Sequence, residues 1–91
     1  MELLTLRWES NPSQPGRIAY FVDDVPVGED DIGFDSVLDI VRSRGDVKVV
    51  LSMRHAGSLG GGSLRDSLPF KARLDELIAL TGPDRLGYKF G

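Results

Sequence analysis

Carboxylates are the most concentrated reactive groups of this sequence. Residues 23–39 hold seven acidic side chains and no Lys or Arg. Such a cluster suits a basic protein partner, because complementary charge speeds association and selects partners. It also suits a solvated turn followed by a helix whose dipole favours acids in its first turn, which is the simpler interpretation. On the first interpretation the partner contacts are Asp23, Asp24, Glu29, Asp30, Asp31 and Asp35.

Calcium is the third use of an acidic cluster, and the spacing argues against it. An EF-hand loop alternates its oxygen ligands and ends on a glutamate, and residues 23–31 have neither feature. The chain has one histidine and no cysteine, which excludes thiolate and multi-histidine metal sites. We therefore predict no metal and no cofactor.

A glycine-rich loop over residues 54–66 is the second candidate site. It follows a predicted strand and precedes a predicted helix, where backbone N–H groups can bind an anion. The glycines are not followed by Lys-Ser or Lys-Thr, and the spacing of a dinucleotide fingerprint is absent. The loop is thus either a plain connection that orders on a partner or an anion site. The anion ligands would be Arg54, His55, Gly60, Gly61, Gly62, Ser63 and Arg65.

His55 is the one candidate general base. Ser52, Ser58 and Ser63 are near it in sequence, and Asp66 could orient the imidazole ring. No pattern fixes the geometry that a nucleophile, a base and an orienting carboxylate require. The sequence therefore favours a protein that is not an enzyme.

The elements that must position these groups begin with strands. Alternation of Leu4, Leu6 and Trp8 with polar residues predicts a half-buried strand, and residues 17–22 predict a second. The pair Asp23-Asp24 predicts a tight turn. Residues 25–27 then form a short returning strand, which Pro26 confines to an edge of the sheet.

After Asp31 the spacing of the apolar residues changes from the two-residue period of a strand to the period of a helix. Apolar residues at positions 34, 37, 38 and 41 share one helix face, and Gly45 follows as a left-handed cap. Residues 47–53 predict a central strand. A second helix capped by Ser67 carries Phe70, Leu74, Leu77 and Ile78 on one face, and it ends at Gly82. Leu86, Tyr88 and Phe90 alternate as a last strand, and both aromatic residues are predicted core members.

This pattern predicts an α+β fold in one small domain without a linker, in the order β-β-(β)-α-β-α-β. A mixed or antiparallel sheet of four to five strands would carry both helices on one face. The predicted uncovered face contains Thr5, Arg7, Ala19, Phe21, Lys48, Val50 and Ser52. Phe21 is the aromatic residue on it that we expect to anchor a partner.

Length and charge limit the function classes. Ninety-one residues correspond to one domain. The net charge of −3 disfavours nucleic acid as a partner, yet it divides into −6 over residues 1–46 and +3 over residues 47–91. No signal peptide and no apolar run of membrane-spanning length occurs, so we expect no membrane partner and a cytoplasmic location.

These observations favour a small acidic inhibitor or regulator that binds a protein partner, of the kind found among bacterial immunity proteins and antitoxins. Two alternatives stay open. One is a small anion- or nucleotide-binding domain that uses the glycine-rich loop. The other is a homo-oligomeric subunit joined through edge strands near Pro26 or Phe90.

Overall fold

A five-stranded mixed sheet with its central strand drawn from the start of the chain forms the frame of the molecule. The computed structural model describes residues 2–11, 13–53 and 68–89. The strands are β1 (Glu2–Ser10), β2 (Ile18–Val22), β3 (Val25–Glu29), β4 (Val47–Ser52) and β5 (Leu86–Lys89), in the spatial order β3-β2-β1-β4-β5. The helices are α1 (Asp30–Arg44) and α2 (Leu74–Thr81), with short 3-10 helices at Lys71–Arg73 and Pro83–Arg85. The predicted α+β fold and element order are confirmed.

The strand pairing follows from the connections. Strands β1, β2 and β3 form an antiparallel meander, whereas β4 runs parallel to β1 because the chain returns through α1. Asp23 and Asp24 join β2 to β3 with φ angles of 51° and 67°. A two-residue hairpin turn of the primed type requires positive φ at both positions, and aspartate tolerates it. The predicted turn is confirmed, as is the place of Pro26 on the edge strand β3.

Both helices pack on the same face of the sheet. The side chains that alternate toward this face are buried, as the strand pattern predicted, and Trp8 contacts Phe70 edge to face with ring centres 5.2 Å apart. Helix α1 ends at Arg44, and Gly45 caps it with a positive φ of 69° and an N–H bond to the Val41 carbonyl, but its ψ of −86° lies outside the left-handed helical region predicted for this cap. The core of the described residues is Leu4, Leu6, Trp8, Tyr20, Val22, Phe34, Val37, Leu38, Val41, Val47, Val49, Leu51, Met53, Leu68, Phe70, Leu74 and Leu77.

The second helix begins later than predicted. Ser67 lies outside the described residues, and helix α2 begins at Leu74. Before it, the Lys71 and Arg73 amides donate to the carbonyls of Leu68 and Phe70 at 3.2 and 2.8 Å. These bonds over three residues form a tight 3-10 turn directly after Pro69. Phe70 is therefore buried as predicted, but it lies ahead of the helix.

The last strand, β5, lies at an edge of the sheet. One of its residues that the sequence assigns to the core is therefore exposed. Tyr88 was predicted to be in the core, yet it is 38% exposed. Its strand pairs only with β4, so a side chain there is covered from one side. Phe90 lies outside the described residues.

The sheet face opposite the helices, which we call the open face, carries the predicted residues. Thr5, Arg7, Ala19, Phe21, Lys48, Val50 and Ser52 are all partly accessible there. Within the described part of the chain, neither helix is long and apolar enough to cross a membrane.

Candidate functional site

A pocket of about 240 Å³ opens where the start of α1 meets the 3-10 turn ahead of α2. Its inner wall is aromatic. Phe34 and Phe70 stack with ring centres 5.0 Å apart, and Tyr20 contacts both rings edge to face at 6.0 Å. The described residues that line it are Gly16, Ile18, Tyr20, Asp30, Asp31, Phe34, Pro69, Phe70, Ala72 and Arg73. The pocket thus joins an apolar wall to a charged mouth.

A contact between two glycines sets the position of α1 beside this pocket. A Cβ atom on Gly33 would lie 2.5 Å from the carbonyl carbon of Gly28 and 2.9 Å from the Tyr20 ring. Only glycine allows the helix to approach β3 this closely. The approach buries Phe34 and leaves Asp31 and Asp35 on the outer side of the helix.

Asp30 begins the helix in a left-handed conformation, with φ of 52°. Its Oδ1 atom accepts a hydrogen bond of 3.0 Å from the backbone N–H of Ile18. This bond ties the helix start to the first residue of β2. Aspartate is among the few residues that tolerate positive φ and supply such an acceptor.

Arg73 lies at the mouth of the pocket among three carboxylates. Its Nη2 atom is 2.5 Å from Oδ1 of Asp35, and its Nε atom is 2.7 Å from Oε2 of Glu76. Its Nη1 atom is 3.4 Å from Oδ1 of Asp31, and the guanidinium lies 4.9 Å from the centre of the Phe34 ring. The site therefore holds a planar cation by ion pairs on its edge and an aromatic ring on its face.

The charges and burial at the site shift the pKa values of three of its ionisable groups. Hydrogen bonds to Glu76 and Asp35 raise the pKa of Arg73 above its usual value, and the bond from Arg73 lowers the pKa of Glu76. Burial, followed by the negative charges of Asp30 and Asp31, raises the pKa of Tyr20 to about 12. Tyr20 is therefore a neutral phenol at physiological pH.

Carboxylates outnumber cations at this mouth. We call Asp30, Asp31, Asp35 and Glu76 the acidic rim. Arg73 pairs with three of these residues, and Arg17 lies 3.8 Å from the fourth, Asp30. Asp31 and Asp35 remain 87% and 60% exposed. The rim thus carries net negative charge that faces solvent.

Two of the other predicted acidic residues, Asp23 and Asp24, lie at the far end of β3, whereas Glu29 ends that strand next to Asp30. Asp23 accepts a 2.9 Å hydrogen bond from the Thr5 amide, and its second oxygen is 3.4 Å from Arg44. Asp24 is 3.2 Å from Nε of Arg7. Glu29 lies between the two groups in sequence, and its carboxylate accepts a 3.0 Å hydrogen bond from the side-chain amide of Asn11. The six predicted partner contacts are therefore brought together in two groups, separated by the length of β3.

Phe21, the predicted anchor, lies on the open face and not beside the pocket. The Arg7 guanidinium covers its ring at 4.0 Å. Arg7 also bonds Asp24, so Phe21 is associated with the hairpin turn and separated by the sheet from the acidic rim.

The predicted anion ligands Arg54, His55, Gly60, Gly61, Gly62, Ser63 and Arg65 lie outside the described residues, so the anion-binding hypothesis stays a prediction. Among the residues that are described, no group of three potential metal-binding side chains occurs.

Several contributors to the site were missed by sequence reasoning, and Glu76 of the acidic rim is one of them. Tyr20 and Phe70 were assigned to the core on their periodicity, and they are buried there while also lining the pocket. Arg73 was given no role, because its partners Asp31 and Asp35 are 42 and 38 residues away. The one available signal for Arg73 was its place as a lone arginine four residues after Pro69, which opens the predicted second helix.

Comparison with known proteins adds no relative: no protein-family model, no curated protein and no solved structure matches this chain.

Proposed function

We propose that this chain is a non-enzymatic protein-binding module whose acidic rim receives a basic side chain of a protein partner. The module would act as a small inhibitor or regulator by covering a cationic site of that partner. The acidic rim and the aromatic pocket behind it supply the two parts of such a contact, a charged edge and an apolar wall.

The observation that carries the proposal is the setting of Arg73. A guanidinium is already held there between Asp35 and Glu76 and over the Phe34 ring. The same arrangement suits an arginine or lysine from another protein. Arg73 and Arg17 together do not neutralise the four carboxylates of the rim, so attraction for a further cation remains.

The lining of the pocket is better suited to recognition than to nucleophilic catalysis. The lining residues that the structure describes include no Ser, Thr, Cys, His or Lys. Tyr20 keeps its proton because its pKa is raised to about 12. Asp30 is engaged by the Ile18 amide at 3.0 Å. These features support a binding role.

A charge-matched pair of variants tests the proposal. We would use the chain as bait in an extract of its native host and identify proteins that bind saturably. Asp31→Asn with Asp35→Asn should weaken binding to the purified partner by about tenfold at low salt and flatten the salt dependence. Asp39→Asn with Asp84→Asn removes the same charge from exposed positions that do not line the pocket.

The control variant should bind like the wild type. Equal affinity of both double variants would show that only total charge matters, and it would overturn the role of the rim. Failure to find any saturable protein partner would overturn the proposed function itself. Asp30 is left unchanged in this test because it bonds the backbone of Ile18.

A further inference from the structure

The open face of the sheet is divided by charge along the order of its strands. Central strand β1 separates the two halves. On one side, β4 and β5 present Lys48 and Lys89. On the other side, the β2–β3 hairpin presents Asp24 at its turn and Glu29 at its far end. The division is lateral, so one half of the face complements the other half.

The lysines on this face lack partners within the chain as described. Neither Lys48 nor Lys89 has a carboxylate within ion-pair distance among residues 2–11, 13–53 and 68–89. The Lys48 stem lies over Gly87, where its Cε atom would be 3.1 Å from an added Cβ. On the other half, Asp24 is 87% exposed although it pairs with Arg7.

Apolar side chains lie between these charges. Leu3, on the central strand, is 63% exposed. Val50 on β4 is partly accessible and Pro26 on β3 is exposed, whereas the Phe21 ring on β2 is covered by the Arg7 guanidinium at 4.0 Å. A strip of apolar surface flanked by opposite charges is the composition of a protein interface.

We infer that the open face binds a second copy of this chain across a two-fold axis that lies in the interface parallel to β1. Rotation about such an axis lays the β4–β5 half of one copy over the β2–β3 half of the other. A two-fold interface must be self-complementary, and this face meets that condition.

The strand register indicates which groups would meet. Lys48 pairs with Leu3, and the Asp23 amide bonds the Thr5 carbonyl, so Lys48 and the hairpin turn lie at neighbouring levels along β1. Lys48 would therefore face Asp24 of the second copy. By the same register Lys89 lies at the level of Arg7, so it would face Pro26 of the second copy, three residues before Glu29, and the Leu3 side chains would meet close to the axis.

The expected dimer is weak. Five strands spaced about 4.8 Å apart, with about six residues of β1 along the other direction, give a patch of about 400 Å² on each copy. Stable complexes bury about 800 Å² on each partner. Association should therefore depend on concentration.

Pairing through the sheet edges is the less favourable way to assemble. The edge strand β3 carries Pro26, which donates no hydrogen bond, and its ladder is interrupted by a bulge opposite Tyr20 and Phe21. The edge contact near Pro26 or Phe90 stays a prediction, and the contact that we infer lies on the open face.

Two exposed apolar residues make a matched test. Leu3 lies on the open face and Ile32 lies on α1, with exposures of 63% and 77%. We would measure sedimentation velocity and light scattering up to about 1 mM chain. The wild type and Ile32→Asp should rise from 10.0 kDa toward twice that mass, whereas Leu3→Asp should associate at least tenfold more weakly.

Charge reversal gives a second measurement. Lys48→Glu with Lys89→Glu should weaken association at low salt, and Arg42→Glu with Lys71→Glu makes the same charge change outside the open face. A wild type that is monomeric at every concentration would overturn the inference. A dimer broken by Ile32→Asp but not by Leu3→Asp would also overturn it, because the interface would then lie on the helix side. Circular dichroism shows that each variant is folded.

Discussion

Two groups of aspartates from one acidic segment do different work in this molecule. Asp23 and Asp30, which we call the inward acids, accept hydrogen bonds from the backbone amides of Thr5 and Ile18. Asp31 and Asp35, which we call the outward acids, project from α1 and pair with Arg73. In the sequence, these four aspartates cannot be told apart, because all of them belong to the same acidic segment.

The difference teaches that the backbone sorts an acidic cluster into structural and exposed members. Both inward acids have positive φ, at 51° and 52°. Their side chains bond to amides that begin or flank β-structure, so they replace missing ladder contacts. The outward acids have ordinary helical positions, and their side chains remain largely exposed beside Arg73.

The largest effect should come from Gly33, whose contact with Gly28 positions both groups. Gly33→Ala should lower the free energy of unfolding by about 3 kcal/mol, because the new methyl group would overlap backbone atoms that cannot move aside. Urea unfolding followed by circular dichroism measures the change. Ser36→Ala, on the same helix, should change stability by less than about 0.5 kcal/mol. Equal stability of the two variants would show that α1 does not depend on this contact.

A smaller effect on stability should come from the ionisation of Tyr20, whose pKa is raised by burial and by one aspartate of each group. Its pKa is raised to about 12 from 10.0 by burial, then by Asp30 and then by Asp31. Because the folded state holds the phenol proton more tightly, its stabilisation is complete below pH 10 and is lost as the pH rises to about 12. The loss amounts to about 2 kcal/mol by pH 12, and Tyr20→Phe should abolish it.

Absorbance titration can separate the two groups at this residue. Tyr88→Phe leaves Tyr20 as the one tyrosine of the chain. In that background, Asp30→Asn should lower the Tyr20 pKa more than Asp31→Asn does, because Asp30 has the larger electrostatic effect. The reverse order would contradict the division into inward and outward acids.

The smallest effect should be the difference in stability between a variant of an inward acid and a variant of an outward acid. Asp30→Ala should cost about 1–2 kcal/mol, because the Ile18 amide loses its acceptor and alanine tolerates positive φ poorly. Asp30→Asn keeps both properties and should stay close to the wild type. Asp35→Ala should cost less than about 1 kcal/mol, since its ion pair is exposed. Thermal unfolding of the three variants gives the ranking, and a costlier Asp35→Ala would reverse the assignment.

Much of the fold could be predicted because the signals are local. Alternation placed Leu4, Leu6 and Trp8 on the buried face, and the helical period placed Phe34. The predicted end of α2 at Gly82 is confirmed, but its start was predicted too early, because Pro69 precedes a 3-10 turn that no periodicity distinguishes from a helix.

The candidate site was predicted only in part because its contacts are distant in sequence. The sequence marks Asp31 and Asp35 as acidic, but it does not indicate that Arg73 closes on them from the other helix. Nor does it separate Asp30 from Asp31, because that distinction depends on one φ angle and one hydrogen bond.

The contact between Gly28 and Gly33 also links two elements in their motions. With the helix start held against β3 at backbone distance and Asp30 bonded to β2, the first turn of α1 should open together with the edge hairpin. Amides in both should then exchange with solvent hydrogen as one unit. A strand or ligand that adds to the edge of β3 would therefore restrain Asp31 and Asp35 as well, so that edge would control the surface that carries the outward acids.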